Sequence, residues 1–298
     1  MKIFDCTLYY DEDLILDLRL NILNKYVDKF VICESKFSHS GREKKLNFDI
    51  NKFKNFKNKI IYLTVEDEPE GLLYSKESDG QNEKAENYRF NSIKRIGHQR
   101  NKLKEGISEA NDEDFILYSD NDEIPFLDNF NFQNFNKKIL IFKQKLFYYK
   151  FNLLCDRIYW YGTKGCKKKY LNSFEELRQI KPKEYPFYRL DTIFKKDKEI
   201  SLKIIQDGGW HFTRIQTPED IHSKELDAEH HDEYRASGKN VDKIRDLITR
   251  KVIDHDHHAK TEDSKYENEF KLKTLNIKEM PLFLQENVNK YKEWLDFD

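Results

Sequence analysis

Cysteine is scarce, and its placement excludes more than its number. Cys6, Cys33, Cys155 and Cys166 are far apart and show no Cys-x-x-Cys spacing, so a zinc knuckle, a dithiol redox motif and a disulfide framework are all disfavoured. Net charge is nearly absent too. Against 53 Lys and Arg stand 54 Asp and Glu, a formal charge of −1, so nothing global selects nucleic acid or an anionic membrane. No apolar run approaches the roughly 20 residues of a membrane span. The N-terminus, MKIFDCTLYYDEDL, has no signal-peptide hydrophobic region. The expectation is a soluble, cytoplasmic chain. There is no internal repeat and no clean linker.

What is present is ample core material. Hydrophobic residues make up 38% and aromatics 14% of 298 residues, with 22 Phe and 17 Tyr, enough for one large domain. Residues 2–9 read as a strand. Residues 12–26 alternate like a strand, yet Leu14, Leu18 and Ile22 also lie at helical spacing, and length and the acidic start favour a helix. KFVICE (29–34) and KIIYLTV (59–65) are short continuous apolar runs, the pattern of strands buried on both faces. Together they predict a β-α-β opening to a parallel sheet. Residues 66–87 read as a long polar surface loop, 88–110 as a helix and 115–119 as a buried strand. Further strands are expected at 138–151, 156–163, 187–195 and 200–206, and helices at 217–228, 240–252 and 281–292. The reading is a single domain over 1–298. Within it, 1–125 runs to the end of the last of these buried strands, 126–215 holds the later strands and 216–298 is a helical C-terminal portion.

FILYSDNDEIP (115–125) ends a buried strand in Asp120, Asp122 and Glu123. In open α/β sheets ligands sit beyond the C-terminal strand ends. Asp120 and Asp122, two apart in extended chain, point the same way. Either they hold Mg²⁺ or Mn²⁺, or the strand simply meets solvent. Asp-x-Asp also occurs at 11/13, 112/114, 254/256 and 296/298, but only the 120/122 pair follows a buried strand. QDGGWHFT (206–213) offers His211 as a third ligand or as a buried core histidine beside a bulge. Arg100 lies in the apolar stripe of its helix, and a buried Arg requires an anion, a protein carboxylate or a ligand diphosphate. Residues 35–48, with Gly41 and Lys44, read as a charged surface loop or a phosphate- or sugar-contacting one.

DLRLNILNKYVDKFVICESKFSHSGREKKLNF (17–48), QRN (99–101), YSDNDEIP (118–125), GGWHFTRIQTPEDIHSKE (208–225) and HHDEY (230–234) together resemble glycosyltransferase family 17, the β-1,4-N-acetylglucosaminyltransferases of bisected N-glycans. The resemblance spans about residues 3–250. It implies a GT-A-type, Rossmann-like fold with a mixed central sheet and C-terminal helices, a nucleotide-sugar donor that is usually UDP-linked, a divalent cation, inversion at the anomeric carbon, and a glycan or glycoprotein acceptor. Asp120 and Asp122 match the family's DxD motif and His211 its Gly-Trp-His histidine. Animal members carry a membrane anchor and luminal cysteines, absent here, so the expected setting is a bacterial or viral enzyme decorating a surface polysaccharide or its own glycoprotein. On this reading Asp120, Asp122 and His211 hold Mn²⁺ or Mg²⁺. Arg100 and Lys44 contact phosphate, Glu34 the ribose or base, and Phe147, Tyr148 and Tyr149 offer rings to the acceptor. Glu123 or Asp207 takes the acceptor proton, the alternative for Glu123 being that it only orients the loop. Two rivals stand beside it. His230, His231, Asp232 and DHDHH (254–258) contain the ligand types of a metal-dependent His/Asp phosphohydrolase, although DHDHH reads first as a solvated loop. A non-catalytic glycan-binding module is the other.

Overall fold

A computed structural model describes residues 1–128, 130–186, 188, 195–258 and 268–297. The order is β1 (Ile3–Tyr9), α1 (Asp13–Leu23), β2 (Lys29–Ser35), β3 (Ile60–Val65), α2 (Gln81–Gly106), β4 (Phe115–Ser119), β5 (Glu123–Pro125), β6 (Ile139–Tyr148) and β7 (Leu153–Lys167). Then follow α3 (Phe174–Gln179), β8 (Leu202–Ile205), β9 (Gly209–Thr213), α4 (Pro218–Glu225), α5 (His231–Ala236), α6 (Val241–Thr249), β10 (Val252–Ile253), β11 (Phe270–Lys271), β12 (Lys273–Thr274) and α7 (Leu282–Glu286). The chain is a mixed α/β fold.

The main sheet runs β3-β2-β1-β4-β7-β6-β9-β5, with β8 also on β6 and β12 on β7. β3, β2, β1 and β4 are parallel. That explains the apolar runs, because a parallel sheet covered on both faces needs side chains that tolerate burial on either side. In β1, Ile3 and Tyr9 join one apolar cluster with α1, while Phe4 and Cys6 join the other beneath α2. β7 reverses direction, pairing antiparallel with β4 and β6. β6 in turn takes β8 along its first half and β9 along its second, both parallel.

One connection sets the shape. β5 follows β4 after three residues, yet stands four places away in the sheet. A flat sheet would put them about 19 Å apart at ~4.8 Å per strand, whereas the short link spans at most about 14 Å. The sheet therefore curls, and the turn 120–122 crosses the opening. All four cysteines are buried and free.

Several expectations shift. α2 begins at Gln81, inside the segment read as loop. The helix expected over 281–292 is only the short α7 followed by turns, and α5 lies in a segment read as motif rather than helix. The strand expected at 187–195 falls almost wholly outside the described residues. Phe147, Tyr148 and Tyr149 are 0%, 4% and 2% exposed. They are core side chains and offer no acceptor platform.

Candidate active site

The acidic turn is built on a buried arginine. Arg19, from α1, is fully buried and forms a two-pronged pair with Asp5, through Nε to Oδ2 at 2.8 Å and Nη2 to Oδ1 at 2.6 Å. Nη2 also donates to Ser119 Oγ at 2.6 Å. Nη1 donates to the carbonyl of Glu123 at 2.8 Å and, more weakly, to those of Asp120 and Asn121 at 3.3 Å. Carbonyls that leave the sheet ladder are thus satisfied by a charged donor, which fixes the turn.

Glu123 points inward and is 1% exposed. Arg178, from α3, meets it with both terminal nitrogens, at 2.8 and 2.9 Å. Trp160 Nε1 donates to Oε1 at 2.5 Å and the Asp120 amide to Oε2 at 3.0 Å. Both carboxylate oxygens are committed, so Glu123 is no free base. It organises the site, a correction to the sequence expectation. Gly162 makes room for it, since a Cβ there would lie 2.5 Å from the Glu123 carboxyl carbon and 2.4 Å from Gln144 Oε1.

Arg178 also reaches Asp120 Oδ2 at 2.8 Å, while Tyr118 Oη donates to Oδ1 at 3.1 Å. Removal from water pushes the Asp120 carboxyl up, but Arg178, then Arg100 and the Tyr118 hydroxyl, outweigh that and hold it at about 2. Each oxygen has one partner and so retains a lone pair.

Asp122 faces His211 across the curled sheet, with Nε2 3.3 Å from Oδ2. The β5–β9 pairing sets this by placing Glu123 opposite His211 and Pro125 opposite Gly209. Gly209 sits at φ +122° with the Ile124 carbonyl 2.2 Å from where a Cβ would be, so only glycine permits that approach. Burial pushes the imidazole down, but Asp122 reverses the effect and leaves the His211 pKa raised. Its Nδ1 is buried with no hydrogen-bond partner, and the ring packs on Trp160 at 5.0 Å.

The parallel strand ends complete the cleft, a cavity of about 250 Å³ lined by Asp120, Asp122, His211, Lys44, Arg100 and Lys224 among others. Arg100 donates to Tyr118 Oη and to Glu175 Oε2, both at 2.8 Å. Lys224 pairs with Glu12. Lys44 pairs with Glu34, which is fully buried and also accepts from the amides of Asn47 and Phe48 at 2.7 and 3.0 Å and from Tyr62 Oη at 2.8 Å. Glu34 thus pins residues 44–48 and has no capacity left for a ribose, a second correction. Asp207 is the third. It is exposed and lines a separate cavity with Phe126, Trp210 and Glu279, so the structure does not bring it to the cleft.

Sequence reasoning missed Arg19, Arg178, Trp160 and Lys224. Arg19 had a signal, a cation inside a helical apolar stripe, the same signal that singles out Arg100.

His255 and His257 meet edge to face at 4.6 Å, but among the described residues the other candidate histidine–acid segment is not joined to them. His231 contacts Tyr88 and the Ala228 carbonyl, and Asp232 pairs with Arg89. DHDHH is not a solvated loop: Asp254 is buried against Lys239, and His257 Nε2 lies 2.6 Å from Tyr148 Oη. Among the described residues no three His, Cys, Asp or Glu side chains converge as a complete cation cage. Mg²⁺ and Mn²⁺ commonly take only one or two protein carboxylates, with water and substrate phosphates supplying the rest. Asp120 and Asp122, partly exposed in one cleft, fit that partial shell; His211 presents Nε2 to Asp122, so its orphaned Nδ1 lies on the far side of the ring from them.

Among curated proteins no match was found. The family model for glycosyltransferase family 17 matches residues 1–295. The chain belongs to glycosyltransferase family 17.

Proposed function

We propose that the cleft binds a nucleotide-sugar, UDP-linked, and transfers its hexose, N-acetylglucosamine or a close relative, with inversion to a hydroxyl of a glycan or glycoprotein. One observation carries this reading. Two carboxylates, Asp120 and Asp122, and three cationic side chains, Lys44, Arg100 and Lys224, line one cleft at the C-terminal ends of parallel strands. The 3-2-1-4 order of those strands matches the first four strands of the Rossmann order, which supports the GT-A-type assignment.

The chemistry is displacement at the anomeric carbon, and the departing diphosphate gathers negative charge. Mn²⁺ or Mg²⁺ bound by Asp120 and Asp122, with His211 alongside, would act as Lewis acid toward the diphosphate. The chain's own residues do the rest. Arg100 and Lys224 place fixed positive charge along the cleft, which needs no reorganisation as the leaving group forms. Arg178 holds the Asp120 and Glu123 carboxylates in place, and Arg19 holds the backbone of their turn.

The test is thermal stability with UDP, GDP, CMP and TDP, each with and without Mn²⁺. A ligand at 100 times its Kd adds about 2.7 kcal/mol. The expected result is a melting shift with UDP that requires Mn²⁺ and is lost in Asp122→Ala. A shift that ignores both metal and nucleotide identity sinks the reading, as does full transfer activity in Asp122→Ala.

A further inference from the structure

We propose that Glu229 is the base that takes the proton from the acceptor hydroxyl, an assignment resting on the transferase reading above. Six carboxylates line the cleft: Glu12, Asp120, Asp122, Glu123, Asp227 and Glu229. Five are engaged. Glu12 holds Lys224 and accepts from the Tyr10 amide at 3.1 Å. Asp120 and Glu123 hold Arg178, and Asp122 faces His211. Asp227 accepts from Arg42 Nε at 3.0 and 3.1 Å, from Tyr10 Oη at 2.6 Å and from Ser40 Oγ at 3.2 Å. Among the described residues Glu229 alone of the six has no hydrogen-bond or ion-pair partner. A carboxylate already accepting from cations has little basicity to offer, whereas one with open lone pairs is ready to accept a proton.

The turn that carries Glu229 is held on both sides. Upstream, Asp227 ties it to the loop after β2 and to the end of β1. Downstream, the Ala228 carbonyl accepts from His231 Nδ1 at 3.1 Å, His231 packs on Tyr88, and Asp232 pairs with Arg89 of α2 at 3.1 Å. Two anchored flanks thus fix the segment that carries Glu229 in the lining of the same cleft as the acidic turn. In the step itself, the acceptor oxygen forms its bond to the anomeric carbon as its proton passes to the Glu229 carboxylate. The bond from that carbon to the diphosphate oxygen breaks, and its electron pair leaves on the phosphate.

The experiment compares the full-length wild type, Glu229→Gln and Glu229→Asp. Donors are UDP-hexoses and UDP-N-acetylhexosamines, acceptors are free mono- and disaccharides, and the readouts are transfer and the UDP-dependent melting shift. The expected result for Glu229→Gln is a fall in kcat of about 100-fold or more, with the melting shift and donor KM kept. Glu229→Asp, which retains the carboxylate, should recover at least tenfold over Glu229→Gln. A smaller fall in Glu229→Gln, or a Glu229→Asp variant no better than it, overturns the assignment. A wild type that neither transfers sugar nor responds to UDP overturns the transferase reading itself, and Glu229 with it.

Discussion

Replacing Arg178 with methionine keeps the stem and deletes the charge that faces Glu123 and Asp120. Four donor contacts go with it: two to Glu123, one to Asp120 and one to the Gly162 carbonyl at 3.0 Å. Glu123, 1% exposed, is left with Trp160 Nε1 and the Asp120 amide as donors and no counter-charge. Removing one partner of a buried pair costs about 3–5 kcal/mol, because the remaining ion is stranded away from water. At roughly 2 °C per kcal/mol for a chain of this size, the melting temperature should fall by about 6–10 °C. The double variant Glu123→Gln/Arg178→Met removes the stranded charge while leaving an amide oxygen for Trp160. It should regain about half of the loss. Scanning calorimetry of wild type, Arg178→Met, Glu123→Gln and the double variant closes the cycle. A single variant within about 2 °C of wild type, or a double variant no more stable than Arg178→Met, would refute the claim that Glu123 is committed to holding the site together.

Two further outcomes follow from the same geometry. The His211 pKa is raised by Asp122 against the effect of burial, so the pair contributes stability that is fully present below the ordinary histidine pKa of about 6.5 and is lost as pH rises through the higher folded value. NMR titration should show His211 above that value in the wild type and below it in Asp122→Asn; an unmoved titration refutes the pairing. Gly162→Ala drives a methyl group to within 2.5 Å of the Glu123 carboxyl carbon, so it should destabilise by about 1–3 kcal/mol and weaken UDP binding through Arg178. Unchanged melting and binding would mean that the network yields freely.

The parallel half of the fold was legible because burial on both faces leaves a plain signature. KFVICE and FILYS admit few other readings, and the residues that follow such strands locate the cleft. The antiparallel half was less so. β9 reads as a bulge after two glycines, and only its pairing with β5 shows why Gly209 must be there. Residues of the cleft were readable where a motif announced them, as with Asp120, Asp122 and His211. They were not readable where function comes from distance in the chain. Arg178 sits in SFEELRQ, a sequence indistinguishable from any short surface helix, and 55 residues from the Glu123 it serves. Glu34 misled for the converse reason: a strand-end acid looks available until its four donors are seen.

Arg19 fixes the backbone of residues 119–123 from beneath before any ligand arrives. The entropy of ordering that turn is therefore lost during folding rather than at each encounter with donor. A ligand seated there meets a surface already set. Calorimetric binding should accordingly lack the large unfavourable entropy and heat-capacity change of a site that folds around its guest.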